Sequence, residues 1–211
     1  FDLRDTKNQG TKYNGSGCLI HGTSVVADSF VAIDKLLNER PQDAERLLTA
    51  LKNNFEDDEE LREFLLSAPK FGNNNETADK EAVETTNKIS NMVRAKKNYL
   101  GNNFRPDFST PSTHLLYGYW VGALPCGRKS RDMLNYGVDP LYGEAQNGLG
   151  FRTLSLMKLP FKKMCGGYAS HFGIDPKYFT SDNYEGKGVE FRDKVMKPLF
   201  FNELNENVSP F

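Results

Sequence analysis

Residues 99–130 read YLGNNFRPDFSTPSTHLLYGYWVGALPCGRKS, and residues 158–173 resume the same character with KLPFKKMCGGYASHFG. The stretch from Tyr99 to Phe172 holds the only Trp of the chain, two of its three His and two of its three Cys. Apolar, aromatic sequence that is broken by Gly and Pro is typical of closely packed backbone with irregular turns. We expect the charged helices predicted before it to pack around this stretch.

Composition narrows the class of protein. The chain has 211 residues, enough for a core of one domain or two small ones, and a formal net charge of −1. That charge gives no general attraction for nucleic acid, and no apolar run approaches the roughly 20 residues of a membrane span. Three Cys form an odd, sparse set that indicates reduced thiols and a cytoplasmic location.

The N-terminal part predicts four helices, which cover about residues 23–37, 41–51, 58–67 and 77–99. Thr23 or Ser24 is the expected N-cap of the first helix, and Thr77 that of the fourth. In the first helix Val26, Phe30, Ile33 and Leu37 recur at spacings of three and four, which predicts one buried stripe.

The C-terminal part predicts less regular structure. The run from His114 to Val121 fits either a strand or a buried helix. Residues 149–159 alternate, with Arg152, Leu154 and Leu156 on one face, and this alternation predicts a strand. Helices followed by short strands favour the α/β class, and 211 residues suit a partial barrel better than a complete one.

Local motifs give no chemistry by themselves. The loop from Gly122 to Ser130 resembles a phosphate-binding loop, but an Arg stands between its second Gly and its Lys, so the spacing excludes that reading. Cys18 and His21 have no second pair at metal-ligand spacing. His114 and His171 each lie among apolar neighbours, which is typical of hydrogen-bonded core histidines.

Several separated blocks resemble the glycyl radical enzymes, the family that contains pyruvate formate-lyase. They are VVADSFVAI at 25–33, PKFGNNN at 69–75, the block at 114–129 and the block at 148–161 that ends in KLPF. The blocks follow the family order and cover roughly residues 15–175. The resemblance implies a fragment of a ten-stranded α/β barrel, with helices packed outside short strands.

Two further segments point to one branch of that family. Residues 104–120 and 166–176 look most like the fumarate-adding enzymes, the benzylsuccinate and alkylsuccinate synthases. Two departures stand out, because Cys126 occupies the place of a family Asp and residues 130–137 differ from the usual sequence. Other branches (decarboxylases, dehydratases or formate acetyltransferases) and a catalytically inactive scaffold stay open as alternatives.

The resemblance implies a radical mechanism. A partner S-adenosylmethionine radical enzyme installs a glycyl radical, which oxidises a cysteine to a thiyl, and the thiyl abstracts hydrogen from a hydrocarbon such as toluene or an n-alkane. The carbon radical then adds to fumarate. Small accessory subunits and a homodimer of catalytic subunits are the implied partners, with no bound cofactor and no metal.

No residue of this sequence matches the radical positions of the family. The glycyl motif is absent, and Cys18 lies too close to the 25–33 helix to be the thiyl cysteine. Residues 1–211 are therefore expected to form a single partial domain, from the middle-to-late part of the barrel, that lacks its N-terminal part and its C-terminal glycyl radical domain.

The resemblance also suggests substrate-binding residues. The fumarate-adding enzymes use the 150–157 segment for their pocket, so Arg152 is predicted to hold a carboxylate, and Leu154 and Leu156 to face the hydrocarbon. Leu61 and Leu65 are weaker candidates for the pocket wall. The alternative is an Arg that faces solvent beside two core leucines.

Overall fold

A computed structural model describes residues 15–109, 113–180 and 183–197. Short strands and longer helices alternate along this part of the chain, and none of these helices has the length and apolar character to cross a membrane. The elements are β1 Ser16–Leu19, α1 Thr23–Glu39, α2 Ala44–Lys52, α3 Glu59–Leu66, α4 Glu76–Arg94, β2 Phe104–Phe108, α5 Thr113–Trp120, α6 Leu149–Met157, β3 Gly167–Tyr168 and α7 Tyr184–Phe191.

The three strands form one parallel sheet in the order β1-β2-β3. Ser16 is opposite Phe104 in the first pair, and Asp107 is opposite Gly167 in the second. Helices α1–α4 connect β1 to β2, while α5 and α6 lie between β2 and β3. Parallel strands require such crossover connections, and the predicted α/β class with helices packed on short strands is confirmed.

Helix α1 packs mainly against α4, but through a face that the sequence did not predict. Ala27, Val31 and Leu36 are buried, whereas Val26, Phe30 and Leu37 are exposed. The predicted buried stripe is therefore wrong at these three positions, whereas its fourth member, Ile33, is partly buried against the core of α1, α2 and α3. Helix α1 is apolar on two sides, and its small residues allow the closer helix contact, so periodicity alone could not choose between the two faces.

The predicted strand at 149–159 is also wrong, because Leu149–Met157 forms helix α6. Its buried positions Thr153 and Leu156 are three residues apart, as one face of a helix requires. The strand prediction rested on the alternation of Arg152, Leu154 and Leu156, and alternation over so short a segment does not exclude a helix. The run from His114 to Val121, for which the sequence allowed a strand or a buried helix, forms helix α5. This helix is not buried, because Leu115, Leu116 and Trp120 on it are exposed.

Helix ends differ from the predicted caps. Gly22 precedes α1 in a left-handed conformation, and the hydroxyls of Thr23 and Ser24 lie buried without a partner in the described structure. Asn75 replaces Thr77 as the N-cap of α4, where its side chain accepts from two backbone amides. Asp58, which the sequence placed at the start of the third helix, is the N-cap of α3, and its side chain accepts from the amide of Leu61.

A buried arginine organises the loop between α5 and α6. Arg128 donates hydrogen bonds to five backbone carbonyls, those of Gly118, Val121, Gly122, Asp132 and Met133. At Gly118 an added Cβ would lie 2.3 Å from the carbonyl oxygen of Asp132, so no larger residue fits there. The basic side chain in the loop that resembles a phosphate-binding motif thus points inward and holds its own backbone.

A second buried charge joins the 69–75 block to α1. The Asp28 carboxylate accepts from the amide of Phe71 at 2.8 Å, while its other oxygen has no partner among the described residues. Burial raises the pKa of Asp28 to about 7, although Phe71 and the nearby Lys70 oppose that change. Lys70 donates to three carbonyls at the end of α3.

Replacing Arg128 with Lys should destabilise the fold strongly. A Lys ammonium has three N–H donors, so at least two of the five carbonyls lose their hydrogen bond. Each hydrogen bond to a charged donor contributes about 1.5–3 kcal/mol to stability. We expect the free energy of unfolding to fall by at least about 3 kcal/mol in urea titrations followed by far-UV circular dichroism. The exposed Arg131→Lys exchange, three residues away, is the matched control, and equal losses in both variants would contradict the role of Arg128.

Asp28 should make stability depend on pH. Its folded pKa of about 7 lies above the ordinary value of 3.8, so the folded state holds the extra proton. The contribution is complete below pH 3.8 and is lost as the pH rises through 7, at roughly 1.4 kcal/mol per pKa unit. Asp28→Asn should match the wild type near pH 4 and exceed its stability near pH 8. A difference that stays constant across this range would refute the assignment.

Candidate functional site

The carboxyl ends of the three strands meet at one edge of the sheet, as in other parallel α/β proteins. His21 follows β1, Ser109 follows β2, and Ser170 and His171 follow β3. The amide of Val138 donates to the carbonyl of Ala169 at 3.0 Å, which brings the irregular segment after α5 to this edge. Functional side chains are most expected here.

Aromatic rings from distant parts of the chain collect at this edge. The Tyr136 ring lies between His114 and His171, with ring centroids 4.8 and 3.9 Å away. The His21 ring packs on Tyr117 at 4.5 Å. Burial lowers the pKa of His21, and His114 lowers it further, against the opposing charge of Asp107. All three histidines of the chain thus lie at the same edge of the sheet. His171 was predicted to be a core residue, but it is exposed.

An ion pair lies next to this row of rings. Arg152 Nη2 is 2.6 Å from Asp139 Oδ1, and it also donates to Ser170 Oγ and to the carbonyl of His171. Asp139 additionally accepts from Ser170 Oγ and from the amide of His171. Burial raises the pKa of Asp139, whereas Arg152 and the two hydrogen bonds oppose the rise. The pair joins helix α6 to the end of β3.

In the part of the chain that the structure describes, the hydrogen bonds of the Arg152 guanidinium all run through Nη2. Its Nε is buried and makes no hydrogen bond within the described residues. A buried N–H without an acceptor costs free energy, and a carboxylate is the acceptor that a guanidinium binds best. Arg152 can accommodate one more acceptor at Nε, while it keeps its pair with Asp139, only when the groups that cover Nε move aside.

A cavity of about 450 Å³ is lined by His114, Tyr136, Asp139, Arg152 and His171. Its polar lining comes from the ring row and the ion pair. The rest of its wall is mainly apolar and includes Met133, Leu134, Pro140, Leu141, Tyr142, Ala145, Leu149 and Phe172. The arrangement suits a small, largely apolar molecule that carries an acidic group at one end.

Of the five predicted site residues, only Arg152 lines this cavity. In a helix, residues two apart point in nearly opposite directions, so Arg152 and Leu154 do not share a face and Leu154 is partly exposed. Leu156 is fully buried in the core. The substrate contacts of these leucines stay a prediction.

Leu61 and Leu65 belong to the core between α1, α2 and α3 and are fully buried there. Neither lines the cavity, so their proposed wall function also stays a prediction.

Sequence reasoning missed most of the polar groups of the cavity. Tyr136 and Asp139 line the cavity but lie outside any helix, strand or motif, as does the adjacent Ser170, and only the fold brings them to Arg152. A usable signal was the concentration of His in the glycine-rich stretch. Within the described residues, no three His, Cys, Asp or Glu side chains are placed to hold a metal ion.

Comparisons with known proteins agree on one family. The family model described as pyruvate formate lyase-like matches residues 2–118, more than half of the chain. The trans-4-hydroxy-L-proline dehydratase of Clostridioides difficile is 29% identical over 97% of this chain and 27% of its own length.

Comparison with solved structures indicates the same family. The glycerol-bound form of the B12-independent glycerol dehydratase from Clostridium butyricum has a TM-score of 0.77 at 29% identity, over 88% of this chain and 24% of that one. A glycyl radical enzyme from Archaeoglobus fulgidus has a TM-score of 0.77 at 28% identity, over 89% and 24%. The chain spans about a quarter of the length of these relatives. By sequence and by fold, this chain belongs to the pyruvate formate lyase-like family of glycyl radical enzymes.

Proposed function

We propose that this chain is a segment of the catalytic subunit of a cytoplasmic glycyl radical enzyme that adds a hydrocarbon to fumarate. Residues 1–211 are one partial domain of that subunit, whose thiyl cysteine and radical glycine lie outside the segment. A radical S-adenosylmethionine enzyme installs the radical, and small accessory subunits and a second catalytic subunit complete the assembly. The hydrocarbon is toluene or an n-alkane.

The observation that carries this proposal is the character of the cavity. Its wall is mainly apolar and bears a single guanidinium, that of Arg152, among the described residues that line it. An apolar wall fits a hydrocarbon and excludes water that would interfere with radical chemistry. The unpartnered Nε of Arg152 fits one carboxylate of fumarate.

This assignment modifies the predicted use of Arg152. A bidentate grip on fumarate through both terminal nitrogens conflicts with the Nη2 contacts to Asp139, Ser170 and His171. The proposal therefore gives fumarate the Nε edge, and Asp139 orients the guanidinium.

A dehydratase of a small hydroxylated substrate is the second candidate. The relatives named above include two dehydratases, at 29% identity each. The row of His114, Tyr136 and His171 supports it as well, because these side chains can hydrogen-bond hydroxyl groups. The candidates differ in whether the product retains all atoms of the substrates.

A product assay separates the candidates. The full-length enzyme, activated without oxygen by its partner enzyme, would receive fumarate with toluene or n-hexane, and separately trans-4-hydroxy-L-proline, glycerol or 1,2-propanediol. We expect mass spectrometry to find an adduct with the summed mass of fumarate and hydrocarbon. Loss of water from a hydroxylated substrate, without any adduct, would establish the dehydratase instead. An activated enzyme that converts none of these would overturn both candidates.

Arg152→Lys tests the carboxylate contact. Lys keeps a cation for Asp139 but lacks the Nε–H donor, so the KM for fumarate should rise about tenfold or more while the KM for the hydrocarbon changes less than about twofold. Arg152→Leu is a less specific test, because it leaves the buried Asp139 without its ion-pair partner and so lowers the stability of the fold by about 3–5 kcal/mol.

The matched control is Arg46→Lys on α2, which changes a surface ion pair with Asp58 far from the cavity. Equal fumarate KM values in the wild type and the Arg152→Lys variant would remove Arg152 from the binding site.

A further inference from the structure

The short loop between α3 and α4 holds the wall of the cavity through one side chain. Asn73 Nδ2 donates to the carbonyl of Glu144 at 2.7 Å and to that of Lys70 at 3.3 Å. Its Oδ1 accepts from the amides of Gln146 and Asn147 at 2.9 and 3.1 Å. A single amide side chain thus makes four hydrogen bonds, three of them to the segment 140–148.

That segment needs such support. It contains no helix or strand, although Pro140, Leu141, Tyr142 and Ala145 from it line the cavity. Backbone outside regular structure takes its shape from whatever satisfies its amides and carbonyls. Asn73 supplies three of those bonds, and the Asn147 side chain returns one to the Asn73 carbonyl at 3.3 Å.

Two neighbouring residues strengthen the contact. Gly72 lies so close to the same segment that an added Cβ would be 2.7 Å from Pro140 Cγ. The Asn74 amide donates to Ser155 Oγ at 2.8 Å, and Lys158 Nζ donates to Asn74 Oδ1 at 2.8 Å. Ser155 lies in α6 and Lys158 directly follows it, so residues 72–74 hold both the segment 140–148 and the helix that carries Arg152.

We propose that Asn73 is a positioning residue that sets the shape of the cavity by fixing its 140–148 wall. The part of this inference that concerns substrate rests on the proposed function, because it takes the cavity to be the substrate site. The part that concerns the wall stands on the hydrogen bonds alone.

Hydrogen–deuterium exchange tests the wall. In the full-length enzyme, Asn73→Ala should speed exchange of the Asn147 amide by about tenfold, because this amide loses its acceptor. The Gln146 amide should be affected less, because it keeps a bond to the carbonyl of Glu144 at 3.0 Å. Asn73→Asp keeps the side-chain acceptor and should leave the two amides protected. The matched control is Asn75→Ala, which removes the α4 cap but touches nothing in the wall, and it should leave both amides unchanged. Unchanged exchange in Asn73→Ala would overturn the inference.

Succinate, the unreactive analogue of fumarate, tests the consequence for binding. By calorimetry on the unactivated full-length enzyme, Asn73→Ala should weaken the succinate Kd by about tenfold, with Asn73→Asp weakened less and Asn75→Ala within about twofold. If the Ala variant does not fold, an Asn73→Asp Kd equal to that of the wild type overturns the inference. A wild type that binds no succinate, while exchange responds as expected, would count against fumarate as substrate and leave the wall assignment intact.

Discussion

The guanidinium of Arg128 satisfies five carbonyls, one in α5 and four in the loop that follows it, which contains no helix or strand before α6. Buried backbone without secondary structure must find donors and acceptors elsewhere, and a planar fork with five donors is the most economical source. The segment after α5 could not otherwise turn back to the strand edge. The Tyr136 row and Asp139 both depend on that return.

The same principle recurs around the cavity. Asn73 satisfies the 140–148 wall, and Asp139 accepts from the His171 amide while it pairs with Arg152. A buried ion pair is weak evidence for stability, because removing two charges from water is costly. Its clearer effect is geometric, since it sets where the Arg152 guanidinium lies and which of its edges stays open.

Prediction from sequence succeeded where local signals agreed with the fold. Helices α1 to α4 lie close to the residues where the apolar spacing predicted them. Sequence-based prediction failed where tertiary contacts, rather than local signals, determine the secondary structure and the position of a side chain. The strands have two to five residues, too few for a period, and α6 matched both the helical and the strand pattern. Of the candidate site, Arg152 alone was identified, because Asp139, Tyr136 and His171 come together only through the return of irregular backbone.

The only tryptophan of the chain, Trp120, lies at a position that determines what its fluorescence can report. Trp120 ends α5, is 75% exposed, and contacts Tyr119 edge to face next to the loop that Arg128 holds. Its fluorescence emission therefore reports on that loop rather than on the helical core of α1 to α4. Because the indole is already largely exposed in the folded state, melting of the core would be visible in ellipticity while changing the Trp emission little.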